Sequence, residues 1–106
     1  MKSDNRQRKQ LRAIGHRLNP VVIVSKGLSA GVSAEIDRAL TDHELIKIRV
    51  NAADREEKQQ LVATICVKLG AELIQTAGHI ALIYRAALKP KAELSNLLRH
   101  QELLQD

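Results

Sequence analysis

Four histidines and one cysteine are the side chains of this sequence that could hold a metal ion or act as a nucleophile. The histidines fall in four separate segments, at His16, His43, His79 and His100. No two of them have the spacing of a metal-binding pair, and no Cys-x-x-Cys motif is present. Cys66 lies on the predicted apolar face of a helix without a histidine placed to activate it, so we interpret it as a core side chain. We therefore expect neither an enzyme nor a metal or cofactor site.

Basic side chains are the second group with chemical consequences, and they are concentrated near the N-terminus. The 106 residues contain 17 Lys and Arg against 12 Asp and Glu, which gives a net charge of +5. Residues 1–28 alone carry seven basic side chains and one acidic side chain, enough to account for the whole excess. This concentration points to a polyanion as partner, although a solvated helix face would have the same composition.

Two further basic groups lie at defined positions in predicted elements. Lys47 and Arg49 alternate with aliphatic residues, so both side chains leave the same face of a predicted strand. They either contact a ligand or keep an exposed strand soluble. Lys26 and Gly27 stand between a predicted strand and a helix N-terminus, where free N–H groups and a lysine suit a phosphate. An ordinary strand-to-helix turn would have the same sequence.

Aromatic residues are almost absent, with one Tyr, no Phe and no Trp. The composition is otherwise that of a folded globular domain, with 44% hydrophobic and 27% charged residues. The core must therefore be aliphatic. A binding surface built on several stacked rings is excluded, since only Tyr84 could stack on a base.

The sequence also predicts the compartment. A single cysteine cannot form an internal disulfide, and no apolar run approaches the roughly 18 residues of a membrane-spanning helix. The basic N-terminal residues are not followed by the apolar stretch of a secretory signal. We expect a cytoplasmic protein that does not bind a membrane.

Hydrophobic periodicity predicts alternating helices and strands. Predicted helices cover residues 5–18, 30–42 and a segment from Asp54 to about Leu69; predicted strands cover 21–24, 45–50, 72–76 and 79–85. Ser29 and Asp54 are predicted N-caps, and Gly70 a C-cap. The αβαβαββ order predicts one compact α/β domain with a four-stranded mixed sheet packed by helices. The unbroken β-branched run at 21–24 predicts a strand that is buried on both faces.

Three stretches of the chain resemble, in the same order, the motifs of the CRM domain family. They are LNPVVIV with KGLSAGV at residues 18–32, HELIKIR at 43–49 and GHIALIYR at 78–85. The resemblance covers about residues 8–86, and the chain looks like a bacterial stand-alone CRM protein of the YhbY type. It implies an RNA-binding domain over residues 1–88, with a fold like that of the C-terminal domain of translation initiation factor three.

The resemblance also implies a function and a partner. It implies a non-enzymatic protein that binds ribosomal RNA in precursor large ribosomal subunits; we expect a monomer with no small-molecule substrate. The family has a KH-like GxxG loop whose second glycine matches Gly27, but the Ser25-Lys26-Gly27 loop is one residue shorter and lacks the first glycine. The residues that we expect to contact RNA are Arg8, Lys9, Arg12, Arg17, Lys26, Gly27, Lys47, Arg49 and Arg85.

Residues 89–106 extend beyond this resemblance, and we expect them to form a C-terminal helix. Its apolar face would consist of Leu94, Leu97 and Leu98, with Leu103 or Leu104. This leucine face packs either on the domain itself or on another protein. The second alternative predicts a different class of function, a protein–protein adaptor that docks on a ribosomal protein or an assembly factor.

Overall fold

Three α-helices and four strands alternate in the order αβαβαββ over the part of the chain that the structure describes. This computed structural model describes residues 3–25 and 27–104. The elements are α1 (Asn5–Gly15), β1 (Pro20–Val24), α2 (Ala30–His43), β2 (Leu45–Val50), α3 (Arg55–Leu69), β3 (Glu72–Ala77) and β4 (Ile80–Tyr84), followed by a 3₁₀ helix (Leu98–Leu103). The predicted element order is confirmed.

The helix ends are fixed by the predicted caps. The Ser29 side chain accepts a hydrogen bond from the N–H of Val32, and the Asp54 carboxylate accepts one from the N–H of Glu57 at 2.8 Å. Gly70 ends α3 with a φ of 65°, in the left-handed region that favours glycine. These three caps are confirmed, so the boundaries of α2 and α3 follow from local sequence.

The sheet has the strand order β1-β2-β4-β3. β1 runs parallel to β2, whereas β4 is antiparallel to both β2 and β3. The predicted four-stranded mixed sheet is therefore confirmed. This order places β1 and β3 at the edges, and it places β2, which carries Lys47 and Arg49, in the interior.

Each face of the sheet has its own apolar cluster. The cluster beneath α2 and α3 contains buried residues from both helices and three strands, among them Ile36, Ile48 and Ile65. The cluster beneath α1 is smaller and is formed by Leu11, Ile14, Leu45, Ile74 and Leu82. Gly15 allows α1 to approach the sheet closely, because a Cβ atom there would lie 2.6 Å from a methyl group of Leu82. Helices thus cover most of one face and part of the other.

The prediction that β1 is buried on both faces is wrong. Val22 and Val24 are buried, but Val21 is 49% exposed and Ile23 is 58% exposed. β1 is an edge strand, and α1 packs over β2, β3 and β4 without covering it. Pro20, the first residue of β1, is typical of an edge strand because proline cannot donate to a neighbouring strand.

The predicted C-terminal helix is also wrong. The segment that follows Pro90 forms turns and a 3₁₀ helix that is broken at His100, which has φ −129° and ψ 38°. The Asn96 side chain donates to the carbonyl of Leu45 at 2.7 Å, and Ser95 donates to the buried Glu44 carboxylate. These side-chain hydrogen bonds hold the backbone in turns instead of a continuous helix.

The leucines of this segment divide into two groups. Leu97, Leu103 and Leu104 pack against the cluster beneath α1, whereas Leu94 and Leu98 are exposed. Most of the predicted leucine face therefore packs on the domain itself. The boundary between a domain at 1–88 and an extension at 89–106 stays a prediction.

Candidate nucleic-acid interface

The exposed part of the sheet lies beside the C-terminal end of α1, and we call it the open strip. It consists of Val21 and Ile23 on β1, Lys47 and Arg49 on β2, and Ile80 on β4. The strand pleat places them together, because the residues between them point into the cluster beneath α2 and α3. The register aligns Ile23 with Arg49 and Arg49 with Ile80, so one basic side chain lies between two aliphatic ones.

Lys47 and Arg49 leave the same face of β2, as predicted. Lys47 is half-buried beside His16 and Gln75, and the exposed Arg49 donates from Nε to the side-chain oxygen of Asn51 at 3.2 Å. Neither side chain has a carboxylate partner among the residues that the structure describes. Both positive charges are therefore available to an anionic ligand.

Arg8 has a structural role. Its guanidinium lies 2.6 Å from the Glu72 carboxylate and also donates to the carbonyls of Leu73 and Ile74, which ties α1 to β3. Burial alone would raise the pKa of Glu72, but hydrogen bonds from Ser3 and Arg8 outweigh it, so this pKa lies below its ordinary value. These bonds give Arg8 a part in holding the fold, while its contact with RNA stays a prediction.

Arg85 is held at the end of β4, against α2 and α3. It donates to the Asp37 carboxylate at 2.7 Å, to the Leu69 carbonyl and to the Thr41 hydroxyl. These contacts join the end of β4 to α2 and to the C-terminal end of α3. The structure thus separates Arg85 from the open strip, although its role in RNA binding stays a prediction.

The remaining basic residues of the N-terminal region lie on and just after α1. Lys9 is exposed and Arg12 is half-buried, and neither has an ion pair with a described residue. Arg12 precedes His16 by one helical turn, and His16 lies beside Lys47 next to the open strip. Arg17 pairs with Glu102 at 2.8 Å, but both side chains are more than half exposed, so this ion pair is weak.

The loop between β1 and α2 lies at the Arg49 end of the open strip. The N–H of Asn51 donates to the Val24 carbonyl at 2.9 Å, which joins the ends of the two parallel strands. Gly27 is exposed and has a φ of 79°, a conformation that favours glycine. Lys26, a predicted RNA contact, lies outside the described residues.

Charge differs between the two faces of the sheet. α1 carries four basic and no acidic side chains, and β2 adds Lys47 and Arg49. On the opposite face, α2 carries three acidic side chains and one basic side chain and α3 carries two acidic and three basic, so the two helices together have a net charge of −1. The positive charge therefore lies on the face that is partly open.

Two side chains that could have carried other chemistry lie in the apolar clusters. Tyr84 packs against the cluster beneath α1, and burial raises the pKa of its hydroxyl, with smaller contributions from Glu44 and Glu72. Cys66 is buried beneath α3, and this burial raises the pKa of its thiol. The open strip consequently has no aromatic residue.

Residues 3–25 and 27–104 contain neither a candidate metal site nor a candidate membrane-spanning helix. No three His, Cys, Asp or Glu side chains of this part of the chain come together as a metal site. None of its helices has the length and apolar character needed to cross a membrane.

Sequence reasoning missed Val21 and Ile23 as surface residues of this site. The run VVIV has the same composition whether one face is open or both are covered. Pro20 was the available signal, because it marks the following strand as an edge.

The fold and the site define an α/β domain with a basic, partly open sheet face. The profile of the CRS1/YhbY (CRM) domain matches residues 4–85, and the chain belongs to this family.

Relatives with this domain come from several organisms. The chain is 46% identical over 94 residues to the Pseudomonas aeruginosa protein named "Probable RNA-binding protein PA4753", covering 88% of this chain and 90% of that protein. It is 44% identical over 90 residues to a Haemophilus influenzae protein named "RNA-binding protein", covering 84% and 91%. The solution structure of the hypothetical protein SAV1595 from Staphylococcus aureus superposes with a TM-score of 0.75 at 28% identity, covering 89% and 98%.

Proposed function

We propose that this protein binds RNA through the open strip, with Lys9 and Arg12 on α1 and the Gly27 loop at its borders. The observation that carries the proposal is the position of Arg49 between Ile23 and Ile80, with Lys47 on the same strand face and no carboxylate partner for either cation among the described residues. Membership of the CRM family and the names of the relatives support RNA as the ligand.

The chemistry of the open strip favours contacts with the RNA backbone. Lys47 and Arg49 neutralise phosphates, and this interaction supplies affinity without reading sequence. Val21 and Ile23 offer apolar area to riboses and unpaired bases, while Tyr84 is half-buried against the cluster beneath α1 and lies outside the open strip. We therefore expect recognition of RNA shape and of unpaired segments more than of a base sequence.

We further propose that the RNA is ribosomal RNA of the precursor large subunit and that the protein acts, without catalysis, in ribosome assembly in the cytoplasm. The family resemblance supports this part. The alternative function as an adaptor needs a free leucine face, but Leu97, Leu103 and Leu104 pack on the domain itself.

Crosslinking in cells, followed by mapping of the bound RNA, tests both parts of the proposal. We expect reads on large-subunit precursor RNA, and we expect Lys47→Glu with Arg49→Glu to remove most of them. Arg38→Glu with Lys68→Glu is the matched control, because these exposed residues lie on α2 and α3 and the change in net charge is the same. Equal loss in both double variants would refute the open strip as the site, and reads without ribosomal enrichment would refute the ribosomal role.

A further inference from the structure

A pocket of about 250 Å³ lies at the other end of β1, where the C-terminal segment meets the sheet. Five of its lining residues carry or can carry positive charge: Arg17, His43, Lys47, Arg99 and His100. None of its lining residues in the described part of the chain is acidic. We call it the cationic pocket.

The two histidines of the cationic pocket are fixed by backbone carbonyls. Nδ1 of His43 lies 2.8 Å from the Leu94 carbonyl, and Nδ1 of His100 lies 2.8 Å from the Asn96 carbonyl. A carbonyl oxygen only accepts hydrogen bonds, so each Nδ1 carries the proton. Both rings are therefore held in one orientation by the C-terminal segment, and the walls of the pocket are built before any ligand arrives.

Among the acidic groups around the pocket, only Glu102 pairs with a lining residue, Arg17, within the described part of the chain, and this exposed ion pair leaves the other lining cations without a carboxylate partner. Glu102 pairs with Arg17 at the surface, and Asp42 is held by Lys91. Glu44 is buried and accepts hydrogen bonds from Ser95 and from the N–H of Ala87. Lys47 and Arg99 have no carboxylate partner among the described residues. The pocket thus has excess positive charge and suits a compact anion.

The cationic pocket is continuous with the open strip, because Lys47 and Val21 belong to both. An RNA strand on the open strip would therefore bring its phosphates to the pocket. Arg99 and His100 lie beyond residues 4–85, the part of the chain that matches the CRM profile.

We propose that the cationic pocket binds a phosphate group of the RNA, with Lys47 and Arg99 as its main ligands. This inference rests on the proposed function and assigns the C-terminal segment a direct part in it. The phosphate belongs either to an internal phosphodiester or to a strand terminus, and both present the same charged oxygens to the pocket.

Fluorescence anisotropy with single-stranded RNA tests the proposal through Arg99→Ala. We expect a weaker affinity and a log–log salt dependence that is flatter by about 0.7, the loss of one phosphate contact. Lys89→Ala is the matched control, since Lys89 is an exposed cation of the same C-terminal segment and does not line the pocket. Oligonucleotides with and without a 5′ or 3′ phosphate distinguish the two sources. If Arg99→Ala weakens the binding only of oligonucleotides that carry a terminal phosphate, the pocket binds a strand terminus; if it weakens the binding of all of them, the pocket binds an internal phosphodiester.

The outcomes separate this proposal from the proposed function. If wild type binds RNA and Arg99→Ala behaves like Lys89→Ala, the cationic pocket is refuted while the open strip stands. If wild type binds no RNA, a titration with inorganic phosphate tests the pocket alone. NMR signals of the amides of residues 96–100 report on binding of phosphate there. Shifts at those amides that Arg99→Ala abolishes would support the pocket, and their absence would refute it.

Discussion

Ile23 and Arg49 are paired neighbours on β1 and β2, and both side chains leave the sheet on the α1 face, in the part of that face that α1 does not cover. An aliphatic and a guanidinium group side by side on an edge-proximal surface can contact a ribose and its phosphate together. This arrangement needs both the parallel register of the two strands and the limited reach of α1.

Removing the charges of the open strip should change the salt dependence of RNA binding. We expect Lys47→Ala with Arg49→Ala to flatten the log–log slope by about 1.4, since two phosphate contacts of about 0.7 each are lost. Salt titration of the RNA affinity measures this slope.

Arg38→Ala with Lys68→Ala is the control for net charge. We choose Lys68 instead of Lys58, the other α3 lysine, because the Lys58 ammonium donates to the Gly78 carbonyl in the β3–β4 turn and its loss could change stability. A control pair that flattens the slope as much as the open-strip pair would mean that the effect is only net charge.

Arg8→Ala should lower stability without changing the salt dependence of RNA binding. We expect a loss of about 1–2 kcal/mol in the free energy of unfolding at neutral pH, because the bonds to Glu72 and β3 are lost. Urea denaturation measures it, with Arg12→Ala as the control on the same helix. A slope flattened by Arg8→Ala and unchanged stability would show that the ion pair opens to bind RNA.

The Glu72 carboxylate, which accepts hydrogen bonds from Ser3 as well as from Arg8, should make stability depend on pH. The pKa of Glu72 is lower in the folded protein than its ordinary value of 4.5. Its contribution is therefore fully present above pH 4.5 and is lost as the pH falls through the folded pKa. We expect Glu72→Gln to remove part of the loss of stability between pH 5 and the acid range, as measured by urea denaturation. An unchanged pH profile would contradict this.

Ile65→Asp should unfold the domain. Ile65 is fully buried on the inner face of α3. An unpaired carboxylate there costs several kcal/mol, of the order of the whole stability of a small domain. Val67→Asp is the matched control, because Val67 lies two residues later in α3 and is 84% exposed. Circular dichroism should show a cooperative melt for the control alone.

The thiol of Cys66 should react slowly. Burial raises its pKa, so little thiolate is present at neutral pH, and access is restricted. We expect reaction with Ellman's reagent only on unfolding, whereas a cysteine placed at the exposed position 67 in a Cys66→Ala background should react at once.

We also expect Cys66→Ala to cost about 1 kcal/mol of stability and to leave RNA binding unchanged.

Local sequence predicts most of the elements because their signals are local. Ser29, Asp54 and Gly70 cap the helices whose residues they adjoin, and alternation identifies β2 from six residues. The fold class follows from the order of these elements. No long-range information is needed for this part.

The features that the sequence does not predict depend on distant residues. Arg8 bonds to Glu72, 64 positions later, and Arg85 bonds to Asp37, 48 positions earlier, so neither partner is visible in the local pattern. The turns near Ser95 likewise depend on Glu44 and Leu45 across the chain. A basic pattern therefore predicts a charged face correctly, but it cannot separate cations that bind a ligand from cations that hold the fold.

The unequal charge of the two sheet faces has a kinetic consequence. With basic side chains on α1 and β2 and an acidic excess on α2, the molecule has an electric dipole moment across the sheet. In the field of a polyanion this dipole turns the protein before contact, so that more of its collisions occur with the open strip foremost. Encounters through α2 and α3, which together carry no excess of positive charge, should be less frequent, so we expect the distribution of charge to raise the association rate.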